Sequence, residues 1–231
     1  MPEANEMSPV ETKPTSENYG AVGCLLIVGI ASFIAFQNCR RLVYKVEVQN
    51  SFNALLMALH DYHDEHGHFP PARAVDDQGN VHSWRSLLTG EFVGYSQGEP
   101  WDSPANREVS CGWQYTFNRS GYSCLAIIGD STVWPKEGHS SVNEIIDGTS
   151  NTILVLLIKD ANVGWWEPRD LAFDGKKLTI EGDPNRPVKL EGGLYGLADG
   201  SVRWIDEAGD QFVEHLPALL GKDDRTPIER L

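Results

Sequence analysis

The feature that most constrains this chain is the segment Ala21–Phe36, in which every residue is apolar or small (AVGCLLIVGIASFIAF). As an α-helix it would span about 24 Å, slightly less than the roughly 30 Å hydrocarbon core of a bilayer. Residues 19–20 and 37–38 can lengthen the helix at its two ends. The segment therefore predicts a transmembrane helix over residues 21–38.

Two alternatives compete with a membrane span. A cleaved signal peptide would carry a basic segment before the apolar run and a small-residue cleavage site after it, and neither is present. A buried core helix of the same length stays open. Residues 1–20 are rich in Glu, Pro, Ser and Asn and carry one Lys against four Glu, so they predict a disordered acidic tail.

The basic residues Arg40, Arg41 and Lys45 follow the apolar segment. Long cationic side chains at this position can reach lipid headgroups. Because positive charge is typical of the cytoplasmic side of a span, this pattern favours a head that lies in the cytoplasm.

Charge and length limit the classes of function. The chain has 231 residues and a net charge of −14, which allows one good-sized domain besides the anchor. An acidic chain without a Lys- and Arg-rich face repels phosphate backbones. Nucleic-acid binding is therefore disfavoured.

A helical stripe follows the anchor, because Val48, Phe52, Leu55, Leu59 and Tyr62 recur at spacings of three and four. This face predicts packing against a sheet. Gly67 and Pro70-Pro71 end the pattern near His66. Anchor and stripe together predict one helix of roughly forty-five residues.

The rest of the head favours strands, with a short helix over Ser83–Leu88 and a Pro-interrupted loop over Glu99–Asn106. The expected strand pairs are hairpins. They are GWQYTF with YSCLAIIG across Asn-Arg-Ser-Gly, and GGLYGL with SVRWID across Asp199-Gly200, beside a central apolar strand at Asn151–Ile158. The expected fold class is α+β, with the head over residues 39–206 and a helical or flexible tail over 207–231.

Several segments together resemble a bacterial family of unknown function related to type IV pilins and type II secretion pseudopilins (domain of unknown function 1559). The resembling segments are ALHDYHDEHGHFPPA, HSWRSLL, EPWDSPANR, IIDGTSNTILVLLI, GWWEPRDLAFD and LADGSVRWI, in the family's order and covering most of residues 40–206. The resemblance implies a long N-terminal helix laid on an antiparallel sheet, a head outside the cytoplasm and no established enzymatic activity.

The chain departs from that family at two places. It has Glu17-Asn18-Tyr19-Gly20 where relatives carry a prepilin cleavage motif, and residues 21–36 lack the buried glutamate of pilins. Lys189 stands where the family's C-terminal signature has His, with nine residues between it and Asp199-Gly200. The resemblance therefore does not by itself imply peptidase processing or filament assembly for this chain, and any role of that imidazole does not carry over.

The densest group of metal-ligand residue types is His60, His63, His66 and His68, interleaved with carboxylates. His60, His63 and His66 recur every three residues, so their imidazoles could converge on Zn²⁺ or Cu²⁺. The competing interpretation is a polar helix end in which His63 packs beside Tyr62.

The adjacent Trp165 and Trp166 form a second candidate. If they lie on a strand, their side chains point to opposite faces, so one indole is buried and the other is exposed for a carbohydrate or protein contact. The competing interpretation is structural, with Glu167, Arg169 and Asp170 satisfying buried backbone groups.

Three further patterns carry weaker signals. Gly129-Asp130-Ser131 with His139 resembles a serine-hydrolase nucleophile segment, but Trp134-Pro135 stops the helix that it needs. The segment Asp147–Asn151 could cradle an anion, although such residues serve turns more often. Cys111 and Cys124 flank the first expected hairpin, where a disulfide is conceivable, although a centred turn would put them out of register.

The sequence as a whole favours a single-pass, pseudopilin-like structural or assembly protein of the bacterial inner membrane, with no catalytic, cofactor-binding or metal-binding residues. Its expected partners are the lipid bilayer and either further copies of itself or secretion- or pilus-like components. The alternative is an envelope module that binds a ligand or metal through His60, His63 and His66 or through Trp165 and Trp166. A serine hydrolase is the third hypothesis.

Overall fold

The computed structural model of the chain describes residues 16–88, 94–208 and 210–223. Side chains are described there except at residues 16–24, 187, 207–211 and 213. The chain divides into two units, residues 1–45 and residues 46–231. Residues 1–15 of the predicted acidic tail lie outside the described residues.

The long helix, α1, spans Ser16–His66 and has 51 residues. It begins inside the predicted tail and ends at the predicted position. Gly67 adopts a φ of +79°, and its N–H donates to the carbonyl of His63 at 2.7 Å. Glycine reaches this left-handed conformation at no steric cost, so it ends the helix.

The other helices are short, apart from the last. They are 3₁₀ turns at Trp84–Leu87 and Val142–Glu144 and the α-helices α2 (Pro104–Glu108), α3 (Gly112–Arg119), α4 (Ile205–Ala208) and α5 (Asp210–Leu220). The strands are β1 (Arg73–Val75), β2 (Val81–Ser83), β3 (Tyr122–Ile128), β4 (Ile153–Lys159), β5 (Leu171–Phe173), β6 (Leu178–Ile180), β7 (Asp183–Pro187), β8 (Leu194–Leu197) and β9 (Val202–Trp204).

The main sheet has seven strands in the order β7-β6-β5-β3-β4-β8-β9, and β1 pairs with β2 separately. Every neighbouring pair in the main sheet is antiparallel except β3 and β5, which run parallel with Ile127 opposite Leu171. The sheet is therefore mixed and not purely antiparallel as expected. Strand β4 runs antiparallel to β3 and lies on one side of it. The chain then crosses to the other side of β3, where β5 runs parallel to β3.

Both faces of this sheet are covered. Residues 124, 126 and 128 of β3 face one apolar cluster, which we call the helix-side core because it contains the α1 stripe. Leu125 and Ile127 face a second cluster, the reverse-side core, which contains α5. The alternation of faces along a strand therefore gives three layers, helix, sheet and helix, in residues 46–231.

The α1 stripe packs on the sheet as predicted. Val48, Phe52, Leu55 and Leu59 are at most 1% exposed, and Tyr62 is partly buried against the same core. Full burial of such side chains contributes about 1.5–3 kcal/mol each. The stripe therefore holds α1 to the head.

The C-terminal segment forms the helix α5, which is one of the two forms predicted for residues 207–231, and it packs as part of the fold. Phe212, Leu216, Leu219 and Leu220 of α5 are buried in the reverse-side core. Their spacing matches one face of a helix. Residues 224–231 lie outside the described part of the chain.

Lys222, just after α5, fixes this segment to two loops. Its backbone N–H donates to the carbonyl of Ser131 at 2.8 Å, and its carbonyl accepts from the N–H of Ile146 at 2.7 Å. Its ammonium donates to Ser140 Oγ and Glu144 Oε2, both at 2.9 Å. The head therefore extends at least to this residue.

The first predicted hairpin is wrong. Residues Gly112–Arg119 form α3, and only Tyr122–Ile128 forms a strand. Cys111 caps the helix, with its Sγ accepting from Gln114 N at 3.3 Å. Trp113 and Phe117 lie one helical turn apart and both contact the helix-side core, a periodicity that outweighs the strand preference of aromatic residues.

The disulfide conceivable between Cys111 and Cys124 is not formed. Neither cysteine is in a disulfide, and both are buried. Cys111 is the N-cap of α3, whereas Cys124 lies inside β3, so the two do not flank a common turn.

The predicted short helix, central strand and last hairpin are confirmed. Ser83 caps the 3₁₀ turn at Trp84–Leu87, its side chain accepting from Arg85 N, and β4 lies inside the sheet between β3 and β8. The last hairpin joins β8 to β9 with Gly200 at a φ of +84°. The expected loop over residues 99–106 contains the start of α2.

Candidate functional sites

The apolar surface of α1 is the strongest candidate. Its large side chains between residues 25 and 36 are 53–73% exposed; they are Leu25, Leu26, Ile27, Val28, Ile30, Phe33, Ile34 and Phe36. By length and composition α1 is the one helix, among the described residues, that could cross a membrane, and no residue of its most apolar window is buried. This exposure argues against the core-helix alternative, because a core helix would be mostly buried.

The cationic residues that follow are also on the helix. The guanidinium of Arg40 lies 5.8 Å from the centre of the Phe36 ring. Leu42 and Val43 beyond it are exposed too. An arginine next to an aromatic ring at the end of an apolar segment is typical of the membrane interface.

The histidines at the end of α1 are engaged in separate contacts. His63 Nε2 accepts from the N–H of Val142 at 3.2 Å. The His66 ring stacks on Tyr62 at a centroid distance of 4.0 Å, and its Nδ1 donates to the Tyr62 carbonyl at 2.9 Å. His68 donates to the Phe69 carbonyl at 2.8 Å.

His60 is half-buried against the edge of the Phe69 ring, with a centroid distance of 5.9 Å. Burial and the neighbouring His63 lower the pKa of His60, which favours its neutral form. In the described part of the chain, no group of three or more His, Cys, Asp or Glu side chains is arranged to hold a metal ion. The geometry therefore favours the polar helix end over the convergent metal site.

The prediction of one exposed indole is wrong, since Trp165 is 5% exposed and Trp166 is 4% exposed. They lie in a turn and not on a strand, so strand alternation does not apply. Trp166 Nε1 donates to the carbonyl of Val109 at 2.9 Å, and Trp165 packs 5.9 Å from Phe117, centroid to centroid. The surface for carbohydrate or protein capture is absent at these two residues.

A buried ion pair that sequence reasoning missed joins Arg85 to Asp170. Arg85 Nη2 contacts Asp170 Oδ1 at 2.6 Å, and both side chains are 1% exposed. Arg85 also donates through Nε to the carbonyl of Cys124 at 2.8 Å. The pair joins the 3₁₀ turn at residues 84–87 to β3 and to the start of β5.

Asp170 Oδ1 accepts two further bonds, from Trp84 Nε1 at 3.2 Å and from the N–H of Ala126 at 2.8 Å. Burial raises the pKa of Asp170 to about 6, although Arg85 opposes that rise. Glu167 Oε2 accepts from the N–H of Gly164 at 2.9 Å. Asp170 thus satisfies a buried backbone group, as in the structural interpretation, whereas the backbone group that Glu167 binds is exposed.

The hydrolase arrangement is not assembled. Ser131 offers its backbone carbonyl to Lys222, whereas the His139 ring stacks on His68 at a centroid distance of 3.6 Å. Asp130 pairs with Lys136 at 3.0 Å. No hydrogen bond joins Ser131 to His139 within the described ranges, and residues 132–135 directly after Ser131 are not helical.

The segment over residues 147–151 is a turn. Asn151 donates from its backbone N–H to the Gly148 carbonyl at 2.9 Å and from Nδ2 to the Asp147 carbonyl at 3.1 Å. The N–H of Asp147 donates to the Lys222 carbonyl at 3.2 Å. These groups satisfy one another, as in the structural interpretation of this segment.

The candidate surface in residues 25–43 is thus an exposed apolar helix, whereas the candidate residues predicted in the head mostly serve packing. Lys189, which stands at the position of the family's histidine, is exposed and lies 3.9 Å from Asp160 Oδ2. Comparison of the chain with models of protein families, with curated proteins and with solved structures finds no match.

Proposed function

We propose that this chain is a single-pass, membrane-anchored structural or assembly protein of the bacterial cell envelope, similar to pseudopilins and without catalytic activity. One observation carries the proposal. The large side chains of residues 25–36 form an exposed apolar surface, and exposing such a surface to water is unfavourable. A bilayer would cover that surface, while an α-helix satisfies its own backbone groups in lipid.

The pilin-like part of the proposal is supported by the architecture of the head. A long N-terminal helix lays an apolar stripe on a mostly antiparallel sheet, which is the arrangement that the sequence resemblance implies. The arrangement that the resemblance implies does not include the reverse-side helix α5 or the parallel β3–β5 pair.

The serine-hydrolase alternative is disfavoured by the contacts of its candidate base and acid. The His139 ring stacks on His68, and Asp130 pairs with Lys136. The proposed partners are the lipid bilayer and other copies of the chain or secretion- or pilus-like components. Nucleic acid is not a proposed partner because the net charge is −14.

Membrane anchoring is tested by expressing the full chain in bacteria and washing the membranes with alkaline carbonate. We expect the chain to stay in the pellet with an intact mass that retains residues 21–36. The variant Ile27→Lys/Ile30→Lys should leave the pellet, because each central lysine costs roughly 2.5–3.5 kcal/mol of insertion free energy. Met57→Lys, at an exposed position of α1 in the head, is the matched control and should stay.

Extraction of the unaltered chain by carbonate would overturn the anchor, and loss of residues 21–36 from the mature mass would identify a signal peptide instead. Location is tested with reporters fused after Leu231. We propose an inner-membrane protein with its head outside the cytoplasm, so alkaline phosphatase should be active there. A fluorescent cytoplasmic reporter and an inactive phosphatase would instead support the orientation favoured by Arg40, Arg41 and Lys45.

A further inference from the structure

The segment of residues 139–142, between β3 and β4, contacts the C-terminal end of α1 through imidazole rings. His63 Nε2 accepts the backbone N–H of Val142 at 3.2 Å. The His63 side chain is 16% exposed, so this bond is largely shielded from water. An imidazole nitrogen that accepts a hydrogen bond carries no proton. The contact therefore exists only while His63 is neutral.

A second contact of the same segment is a ring stack. The rings of His139 and His68 lie 3.6 Å apart, centroid to centroid, with an angle of 20° between their planes. Protonation of both rings would place two like charges next to each other, which is unfavourable. The stack therefore favours a state in which at most one of the two rings is protonated.

Within the described residues, these rings face charged and titratable groups of both signs. They include the carboxylates Asp64 and Glu144, the ammonium of Lys222, the imidazoles of His60 and His66 and the phenol of Tyr62. Asp64 Oδ1 lies 3.7 Å from His63 Nδ1 and so favours the protonated ring.

Protonation of His63 removes its bond to the segment. Nε2 then becomes a donor, and it faces the donor N–H of Val142. Ser141 Oγ lies 3.5 Å from the same nitrogen, which is too far for a good replacement bond. The protonated ring therefore leaves the N–H of Val142 without its present acceptor.

Other contacts of the segment persist in mild acid. The backbone N–H of Phe69 donates to the Ser140 carbonyl at 2.8 Å. The Lys222 ammonium donates to Ser140 Oγ and to Glu144 Oε2, and its hydrogen bond lowers the pKa of Glu144, so this carboxylate keeps its charge at pH 5. The segment therefore stays attached at Ser140 when the imidazole contacts are lost.

We propose that His63, His68 and His139 form a pH-sensitive latch, which holds residues 139–142 on the end of α1 while the imidazoles are neutral and loosens them when mild acid protonates the rings. Histidine is the side chain suited to this role, because its charge changes between about pH 5 and pH 8. The latch is independent of the proposed membrane function.

The test is hydrogen exchange of the full chain in lipid nanodiscs at pH 7.5 and pH 5.0, with EDTA in both buffers to remove metal ions. Mass spectrometry with fragmentation measures the Val142 amide, and a protection factor removes the intrinsic effect of pH on exchange. We expect that factor to fall roughly 2–10-fold at pH 5.0, the effect of one lost hydrogen bond, while β4 changes less. No fall at Val142, or an equal fall in β4, would overturn the proposal.

Two matched variants separate the latch from general effects of acid. His63→Gln introduces an amide that does not titrate, so most of the pH dependence at Val142 should disappear. His66→Gln is the control, because His66 Nδ1 donates to the Tyr62 carbonyl at 2.9 Å and protonation keeps that bond. The pH dependence should therefore remain in this variant, and equal effects of the two changes would refute the latch.

His139→Phe tests the stack. Phenylalanine can stack on His68 but carries no charge, and His139 is exposed, so the change should spare the core. The single variant should weaken the pH dependence at Val142, and His63→Gln/His139→Phe should abolish it. An undiminished pH dependence in the double variant would contradict the proposal, and the protection of β4 at pH 7.5 verifies that each variant is folded.

Discussion

Leu56 of α1 lies directly over Gly196 of β8, so closely that a Cβ added at residue 196 would stand 2.7 Å from Leu56 Cδ1 and 2.8 Å from its Cδ2. Leu56 is buried in the helix-side core, so it has little room to move. The glycine therefore sets how near the helix approaches the sheet.

Gly196→Ala should destabilise the head by about 1–3 kcal/mol, because the added methyl group forces Leu56 or α1 outward. Chemical unfolding monitored by tryptophan fluorescence measures this. Gly112→Ala is the control, since a Cβ at residue 112 meets nothing within 4 Å; it should be neutral or slightly stabilising. In the background of Leu56→Ala, Gly196→Ala should cost little, and an undiminished cost there would contradict the proposed contact.

Arg85→Met should destabilise the head by about 3–5 kcal/mol at neutral pH, because it leaves the Asp170 carboxylate buried without its counter-charge. The matched change is Lys136→Met, which breaks the exposed pair with Asp130 and should cost at most about 1 kcal/mol. Equal costs for the two variants would show that the buried pair carries no special weight.

The cost of Arg85→Met should depend on pH. Burial raises the pKa of Asp170, and Arg85 partly holds it down, so the variant raises that pKa above about 6. A carboxyl group whose pKa is raised in the folded state stabilises the fold at low pH and loses that contribution as pH rises through the raised pKa. Unfolding measured at pH 5 and pH 8 should therefore show a smaller cost of the variant at pH 5, and the reverse order would refute the assignment.

Thiol labelling should separate the cysteines. Burial raises the pKa of the Cys124 thiol to about 12, and Cys111 is buried as well, whereas Cys39 is exposed. Since the thiolate is the reactive species, iodoacetamide should modify Cys39 in the native Cys24→Ser protein in detergent and should reach the other two only after denaturation. Rapid native labelling of Cys124, or a disulfide between Cys111 and Cys124 in non-reduced peptide maps, would contradict the structure.

Periodic signals in the sequence predicted the parts of the fold that local physics decides. The three-and-four spacing of Val48 to Leu59 predicted the face of α1, and Gly67 predicted its end. Asp199-Gly200 predicted the last turn because few other residue pairs reach its backbone conformation. The apolar run predicted the helix whose described side chains, from residue 25 to residue 36, are exposed.

Long-range relationships could not be predicted. Arg85 and Asp170 are 85 positions apart, and no local pattern pairs a charged residue of a 3₁₀ turn with one at the start of a strand. The aromatic content of Gly112–Phe117 favoured a strand, although Trp113 and Phe117 share a helical face. The expectation for Trp165 and Trp166 assumed a strand. Trp165 instead packs on Phe117 of α3, a helix that had itself been missed, and Trp166 packs on Tyr95. The pilin-like assignment stays a prediction.

The bonds of Lys222 to the loops at Ser131 and Ile146 have a consequence during synthesis on the ribosome. At roughly 5–20 residues per second, about 4–15 seconds separate translation of residue 146 from that of residue 222. During that interval the apolar strand β4 has no α5 to cover its reverse face, and such a strand is prone to aggregate. The nascent chain should therefore need chaperone protection until its last helix emerges.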